Sequence, residues 1–210
     1  AVFPLACELS FMQIKCFIFN NENILISRSG YTGEDGFELS IPNTQIKNIV
    51  EKLSNHNDTI FCGLGCRDSL RLEAGLCLYG NELNETISPI EANLKWAISK
   101  TRLNQGGFAG YDRIIDELRS GTSRTRIGII SINKSILRSK MSLHNNDGIK
   151  VGEITSGGYS PSLNLSIAMA YINKDHLKLS NEIYCSIRGN MSLISISKLP
   201  FIKLNYKRSK

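Results

Sequence analysis

The chain has 210 residues, a hydrophobic fraction of 41%, a charged fraction of 21% and a formal net charge of +6. Its length admits one large domain or two small ones, and its composition excludes a disordered or low-complexity chain. No apolar run approaches the roughly 18–20 residues of a membrane span, and the excess of Lys and Arg favours an acidic partner, whether nucleic acid, a polycarboxylate ligand or an acidic protein.

The sequence opens at Ala1, without Met, in the apolar stretch AVFPLACELSFM. It has no basic n-region and carries Glu8, so it does not read as a complete signal peptide. The expectation is that something was removed or that the chain is part of a longer protein. Six cysteines (Cys7, Cys16, Cys62, Cys66, Cys77 and Cys185) include no C-x-x-C pair. Their mostly apolar neighbours predict reduced core thiols in a cytosolic or organellar compartment. Cys62, Cys66 and His56 fit no standard zinc spacing.

In chain order, Ile24, Leu25 and Ile26 predict a buried strand. The loop GYTGEDGFEL (Gly30–Leu39) follows, with three carboxylates: Glu34, Asp35 and Glu38. No Gly-Lys-Ser/Thr follows it, its acids do not span a twelve-residue calcium loop, and it leads into a strand rather than a helix. Phe37, Leu39 and Ile41 alternate with Glu38 and Ser40, predicting a half-buried strand. Glu34 and Asp35 therefore belong to a turn, where they are solvated or bonded locally. Glu38 lies on a fixed strand, on the face opposite the apolar residues. It is either a solvated acid or a rigid acceptor for a ligand with adjacent N–H donors.

Pro42-Asn43 opens a predicted helix capped by Asn43, with Ile46, Ile49, Val50 and Leu53 at helical spacing. A second helix is predicted over 64–77, with Cys66, Leu70, Ala74 and Cys77 on its buried face. In it Arg71 can pair with Asp68, three residues earlier. Arg67 has no acid three or four residues away, so it meets either water or something outside the helix, such as Glu38 or a ligand. A third helix is expected from Pro89, and the lone Trp96 follows as core or as a stacking platform.

Gly106, Gly107 and Gly110 mark a connector, with a short amphipathic helix carrying Ile114, Ile115 and Leu118 and an exit at Gly121 and Ser123. From residue 124 the chain reads as all β. Ile183, Cys185 and Ile187 alternate with polar residues, as do Ile194 and Ile196. Asn145–Gly148 (NNDG) predicts a turn and Ser156–Leu163 (SGGYSPSL) a break. A small barrel or sandwich is expected. The last thirteen residues carry five basic side chains (Lys198, Lys203, Lys207, Arg208 and Lys210), read as a solvated tail. The predicted divisions are 1–104, 105–123 and 124–210.

Five blocks in this order resemble the aminomethyltransferase (T-protein) family of the glycine cleavage system. They are SRSGYTGEDGFEL (Ser27–Leu39), GLGCRDSLRLEAGLCLYGNEL (Gly63–Leu83), SPIEANLKW (Ser88–Trp96), VGEITSGGYSPSL (Val151–Leu163) and LPFIKLNY (Leu199–Tyr206). The resemblance implies an α+β fold, with partial folate-binding lobes followed by a C-terminal antiparallel β-barrel. It also implies transfer of a methylene carbon from the aminomethyl-lipoyl arm of H-protein to tetrahydrofolate, with release of ammonia. It implies no metal, no nucleic acid and no membrane, and a cytoplasmic location in bacteria or the mitochondrial matrix in eukaryotes, the former preferred.

Through the resemblance, Glu38 is expected to grip the pterin edge and Tyr31 to wall the same pocket. Arg67 is expected to contact folate, Trp96 to lie near the aminobenzoate, and Tyr206 to reach back to the ligand. The family's catalytic aspartate stands in a lobe ahead of the glycine loop. The first aspartate here is Asp35, so no catalytic residue is assigned, and an amino-terminally truncated chain, inactive alone, is expected. The alternatives are a non-catalytic folate-binding remnant, or a module of a related folate-dependent oxidase or iron–sulfur-repair homologue.

Overall fold

A computed structural model describes residues 2–133, 135–177 and 182–208; Lys210 of the basic tail lies outside them. The chain begins with a three-stranded antiparallel sheet of β1 (Ile14–Phe19), β2 (Glu22–Ser27) and β3 (Glu38–Ser40), in that spatial order. Asn20 (φ 49°) and Asn21 (φ 62°) make the two-residue turn between β1 and β2, a pairing that suits the twist of a tight hairpin. Ile24 and Ile26 are buried and Leu25 is exposed, so β2 is covered on one face only, not on both as predicted. The covered face packs with Ala6, Leu9 and Ile49, and with partly buried Phe17, Phe19, Leu39 and Ile41.

α1 (Asn43–Ser54) takes Pro42 as its N-cap, and Asn43 is the first helical residue, with no side-chain cap. This differs from the expected Asn43 cap because proline's fixed φ already suits the helix entry. Of the predicted apolar face only Ile49 is buried, while Ile46, Val50 and Leu53 are exposed.

α2 (Leu64–Glu73) stops short of residue 77, at an Ala74 C-cap followed by Gly75 with φ +66°. Its buried residues are Arg71, Leu72 and Glu73, whereas Cys66 is exposed. The helix lies against the outside of a barrel through its last turn, so the buried surface sits further along than the apolar spacing indicated. Beyond Pro89 the chain forms turns and a 3-10 turn at Lys95–Ala97 instead of a helix. α3 (Lys100–Gln105), capped by Ser99, and α4 (Tyr111–Ser120), with Ile114 buried, follow.

The remaining strands are β4 (Arg124–Ser131), β5 (Ser142–His144), β6 (Lys150–Ser160), β7 (Leu165–Asn173), β8 (Ile183–Ile187) and β9 (Asn190–Ser197). They close a six-stranded antiparallel barrel in the order β4-β7-β6-β5-β8-β9, the all-β block expected. Ile129, Leu143, Ile154, Ala168, Ile172 and Cys185 fill its interior. Ser156–Ser160 continues β6 rather than breaking it, and the turn falls only after Ser160. Gly157 explains why: a Cβ there would lie 2.7 Å from the carbonyl oxygen of Leu137, so the glycine serves close packing within a strand.

β7 is buried on both faces. Ala168, Ala170 and Ile172 point inward, and Ile167 and Met169 meet Leu72 of α2. Ile196 is exposed, unlike Ile194. Only Cys185 among the six cysteines is buried; Cys7, Cys16, Cys62 and Cys66 are exposed, Cys16 on the edge strand β1 and Cys66 on an uncovered face of α2.

The chain after the barrel packs back on the first sheet. The Phe11 N–H donates to the Lys207 carbonyl at 2.7 Å, and the Asn205 N–H to the Gly33 carbonyl at 2.9 Å. Lys207 Nζ also donates to the Cys7 carbonyl at 2.5 Å, so this part of the basic tail is docked.

Candidate functional site

The glycine loop sits between the sheet, α2 and the returning C-terminal segment. Gly33 has φ +80°, and a Cβ there would stand 2.8 Å from the Ala74 Cβ; only glycine fits both the backbone and the space. Asp35 forms a two-point ion pair with Arg28, one bond being 2.8 Å. Hydrogen bonding to this guanidinium holds the Asp35 carboxyl below its ordinary range. Glu34 accepts two bonds from Asn205 Nδ2, at 3.1 and 3.0 Å. Both turn acids are thus engaged rather than free in water, Asp35 by Arg28 seven positions earlier and Glu34 by the distant Asn205.

Glu38 begins β3 opposite Ser27 and is exposed. Its Oε2 accepts the Ser29 hydroxyl at 2.6 Å, and Ser29 Oγ lies 2.7 Å from Ser27 Oγ. The serine pair fixes the rotamer through one oxygen and leaves acceptor capacity on the other.

Tyr31 and Arg67 come together, whereas the sequence reading offered Glu38 or a ligand as the partner of Arg67. The Arg67 guanidinium lies over the Tyr31 ring at 4.9 Å. Both line a cleft of about 450 Å³ with Leu64, Asp68, Arg71, Leu78 and Asn81, a volume suited to a small-molecule ligand. The Tyr31 hydroxyl donates to the Cys77 carbonyl, and burial raises its pKa, so it remains a neutral donor.

Arg71, beneath this cleft, is 2% exposed. It donates to Asp68 at 2.8 Å, as expected, and also to Glu82 at 3.0 Å and the Ser156 hydroxyl at 2.9 Å. Glu82 further accepts the Leu78 N–H at 3.0 Å and the Thr155 hydroxyl at 2.5 Å. Arg71 is therefore neutralised inside the fold. Arg67 has no carboxylate within ion-pair distance among the described residues and remains available to an anionic or π-faced ligand.

Glu38, Trp96 and Tyr206 do not line the cleft of Tyr31 and Arg67. Trp96, on the Lys95–Ala97 turn, is 80% exposed. Tyr206 stacks on Phe11 at 4.1 Å with an interplanar angle of 10°. Sequence reasoning missed Asn81 in the cleft lining, Glu82 as the partner of Arg71, and Glu73 as the partner of Ser160 and Ser162. The available signal was an acid next to a leucine, Glu73 after Leu72 and Glu82 before Leu83. Among the described residues no cluster of three or more His, Cys, Asp or Glu could hold a metal, and no helix is long and apolar enough to cross a membrane.

Comparison with known proteins identifies the family of both parts of the chain. The GCVT N-terminal domain family matches residues 5–102, and the glycine cleavage T-protein C-terminal barrel domain family matches residues 124–203. The chain is 41% identical over 201 residues to the mitochondrial aminomethyltransferase of Pisum sativum, covering 95% of this chain and 49% of that protein. It is 41% identical over 208 residues to that of Dictyostelium discoideum, covering 96% of this chain and 52% of the relative. The glycine cleavage system aminomethyltransferase T of Bartonella henselae superposes with a TM-score of 0.90 at 36% identity, over 99% of this chain and 58% of that one. The chain thus spans about half the length of the curated relatives it matches. With both halves of its fold and nearly all of its length accounted for, the chain belongs to the aminomethyltransferase family, the T-proteins of the glycine cleavage system.

Proposed function

We propose that the chain supplies the folate-binding part of an aminomethyltransferase reaction. The methylene carbon passes from the aminomethyl-lipoyl arm of H-protein to tetrahydrofolate, and ammonia is released. The observation that carries this reading is the pairing of Arg67, which has no carboxylate within ion-pair distance among the described residues, with Tyr31 in a ligand-sized cleft, within a chain of T-protein sequence. Glu38 is assigned to the neighbouring N–H donors of the pterin, which a fixed carboxylate accepts in pairs. Arg67 and Tyr31 are assigned to folate contact, Trp96 to the aminobenzoate, and Tyr206 to a supporting position at the C-terminal end. Residues 1–104 form the folate-binding part, 105–123 a connector and 124–210 the barrel domain.

These 210 residues place no aspartate ahead of Asp35, where the family carries its catalytic one. For these 210 residues by themselves we infer weak folate binding and no turnover unaided. The mitochondrial names of the relatives favour the matrix in a eukaryote, with the cytoplasm as the counterpart in a bacterium. The CLYGNEL and SPIEANLKW blocks favour T-protein over the related oxidases.

Calorimetric titration with tetrahydrofolate tests the reading. Glu38→Ala should weaken binding most, by roughly 30–150-fold for the loss of about 2–3 kcal/mol of charged hydrogen bonding. Unchanged affinity removes Glu38 from the site. Turnover by the chain alone with lipoylated H-protein contradicts the proposed dependence on further residues.

A further inference from the structure

Two cysteines flank the first turn of α2. Cys62 stands just ahead of the Gly63 N-cap, and Cys66 is the third helical residue. The Gly63 carbonyl accepts the Cys66 N–H at 3.1 Å and the Arg67 N–H at 3.3 Å, so the chain folds back on itself between the two. Both side chains are exposed, and they bond to each other. The hydrogen bond from the Cys66 thiol to Cys62 raises the pKa of Cys66, so Cys66 keeps its proton and Cys62 is left as the first nucleophile. Among the described residues no third His, Cys, Asp or Glu joins them, so the pair lacks the further ligands of a metal centre. Between the cysteines stand Gly63 and Gly65, each with open space where a Cβ would lie. Little but the helix's own bonds fixes this turn. Leu64, Gly65, Arg67 and Asp68 from the same stretch line the cleft.

We propose that Cys62 and Cys66 form a reversible disulfide site, a clamp on the first turn of α2 that sets how firmly Arg67 is held in the cleft. The oxidant is a low-molecular-weight disulfide of the glutathione class. The Cys62 thiolate attacks one of its sulfurs and releases the first small thiolate, leaving a mixed disulfide. Cys66 then gives up its proton, and its sulfur attacks the Cys62 sulfur and expels the second. The two cysteines lose two protons and two electrons, and the oxidant becomes two thiols. In a reducing compartment such a bond is transient and serves sensing rather than stability. Once closed, it restricts the two glycines, so α2 keeps its first turn and Arg67 its place over Tyr31. The inference does not depend on what the cleft binds.

Trypsin releases both cysteines in one peptide, Leu53–Arg67, cut after Lys52 and after Arg67. The test treats the native chain with oxidised glutathione, then alkylates, digests and weighs the peptides by mass spectrometry. The expected result is a Leu53–Arg67 peptide short of two hydrogens, bearing neither alkyl group nor glutathione and restored by dithiothreitol, while the exposed Cys16 carries glutathione. Cys66→Ser should halt the reaction at a glutathione adduct on Cys62. Phenylarsine oxide, which needs two neighbouring thiols, should bind the reduced wild-type chain at this peptide and be lost from it in both Cys62→Ser and Cys66→Ser. On oxidation the amides of Cys66 and Arg67 should exchange more slowly. A stable glutathione adduct on Cys62 or Cys66 of the wild type overturns the proposal. So does a Leu53–Arg67 peptide that stays open to alkylation while Cys16 is modified. Exchange at Arg67 that oxidation leaves unchanged overturns the clamp.

Discussion

Glu73 and Ser162 are joined at two points: the carboxylate of α2 accepts the Ser162 N–H at 3.0 Å and its hydroxyl at 2.7 Å, while also taking the Ser160 hydroxyl at 2.5 Å. Glu73 is fully buried, so this is where α2 is fastened to the turn between β6 and β7. Glu73→Ala leaves three donors without an acceptor and should cost about 2–4 kcal/mol. Glu73→Gln keeps the shape and one acceptor and should cost less. Urea unfolding of the two variants measures the difference, and equal losses would point to packing rather than hydrogen bonding.

Arg71 and Glu82 form a buried pair, 2% and 0% exposed at their side chains. Removing one partner strands the other charge, so Arg71→Met alone should destabilise by about 3–5 kcal/mol. The double change Arg71→Met with Glu82→Met should cost clearly less than the sum of the single changes, because no unpaired charge remains. Additive losses would contradict the pairing.

Three carboxyls are held below their ordinary range. Asp35 is lowered by its hydrogen bonds to Arg28, and Glu22 by those from Gln45 and Thr44. For Glu91, burial pushes upward, but the hydrogen bonds from Arg124 and the Ser88 N–H outweigh it. A depressed folded-state pKa means the unfolded chain takes protons first. The contribution is complete above the unfolded values and is lost as pH falls through the folded ones. Thermal midpoints should therefore stay level in this respect down to about pH 5 and fall below it. Arg28→Met should flatten the part of that slope due to Asp35.

Thiol labelling separates the cysteines by cover. Cys7, Cys16, Cys62 and Cys66 are exposed and should react in the native chain. Cys185 lines the barrel interior, where burial pushes its thiol up to about 11. Burial raises Cys77 as well. Both should label only as the chain unfolds. Early labelling of Cys185 would mean an open barrel.

The barrel was legible through strands such as β8, whose inward and outward residues alternate as a closed sheet with one interior requires, although β7, buried on both faces, does not alternate. Ile183 and Cys185 show this directly. Glu38 was separable from Glu34 and Asp35 by strand phase alone. The buried face of α2 was legible only in part. Apolar spacing nominated Cys66, Leu70, Ala74 and Cys77, of which Ala74 is buried and Cys66 exposed, and it gave no sign of Arg71 and Glu73, which are buried where Glu82, Ser156 and Ser162 satisfy them. Those partners lie as far as 89 residues away in sequence, beyond any local pattern. Likewise, Asn205 for Glu34 and Phe11 for Tyr206 are contacts that local sequence cannot announce.

The return of residues 204–207 to the first sheet also fixes the order in which the molecule can mature. Asn205, the partner of Glu34, is 171 positions further along the chain, and Lys207, which holds the Cys7 carbonyl, is 200 positions from it. During synthesis the glycine loop leaves the ribosome long before either partner exists, so it must wait for the whole barrel to be made. Contacts of such sequence separation form late. The loop of Gly30–Leu39 should therefore be the last region to gain protection on refolding, after the barrel has closed.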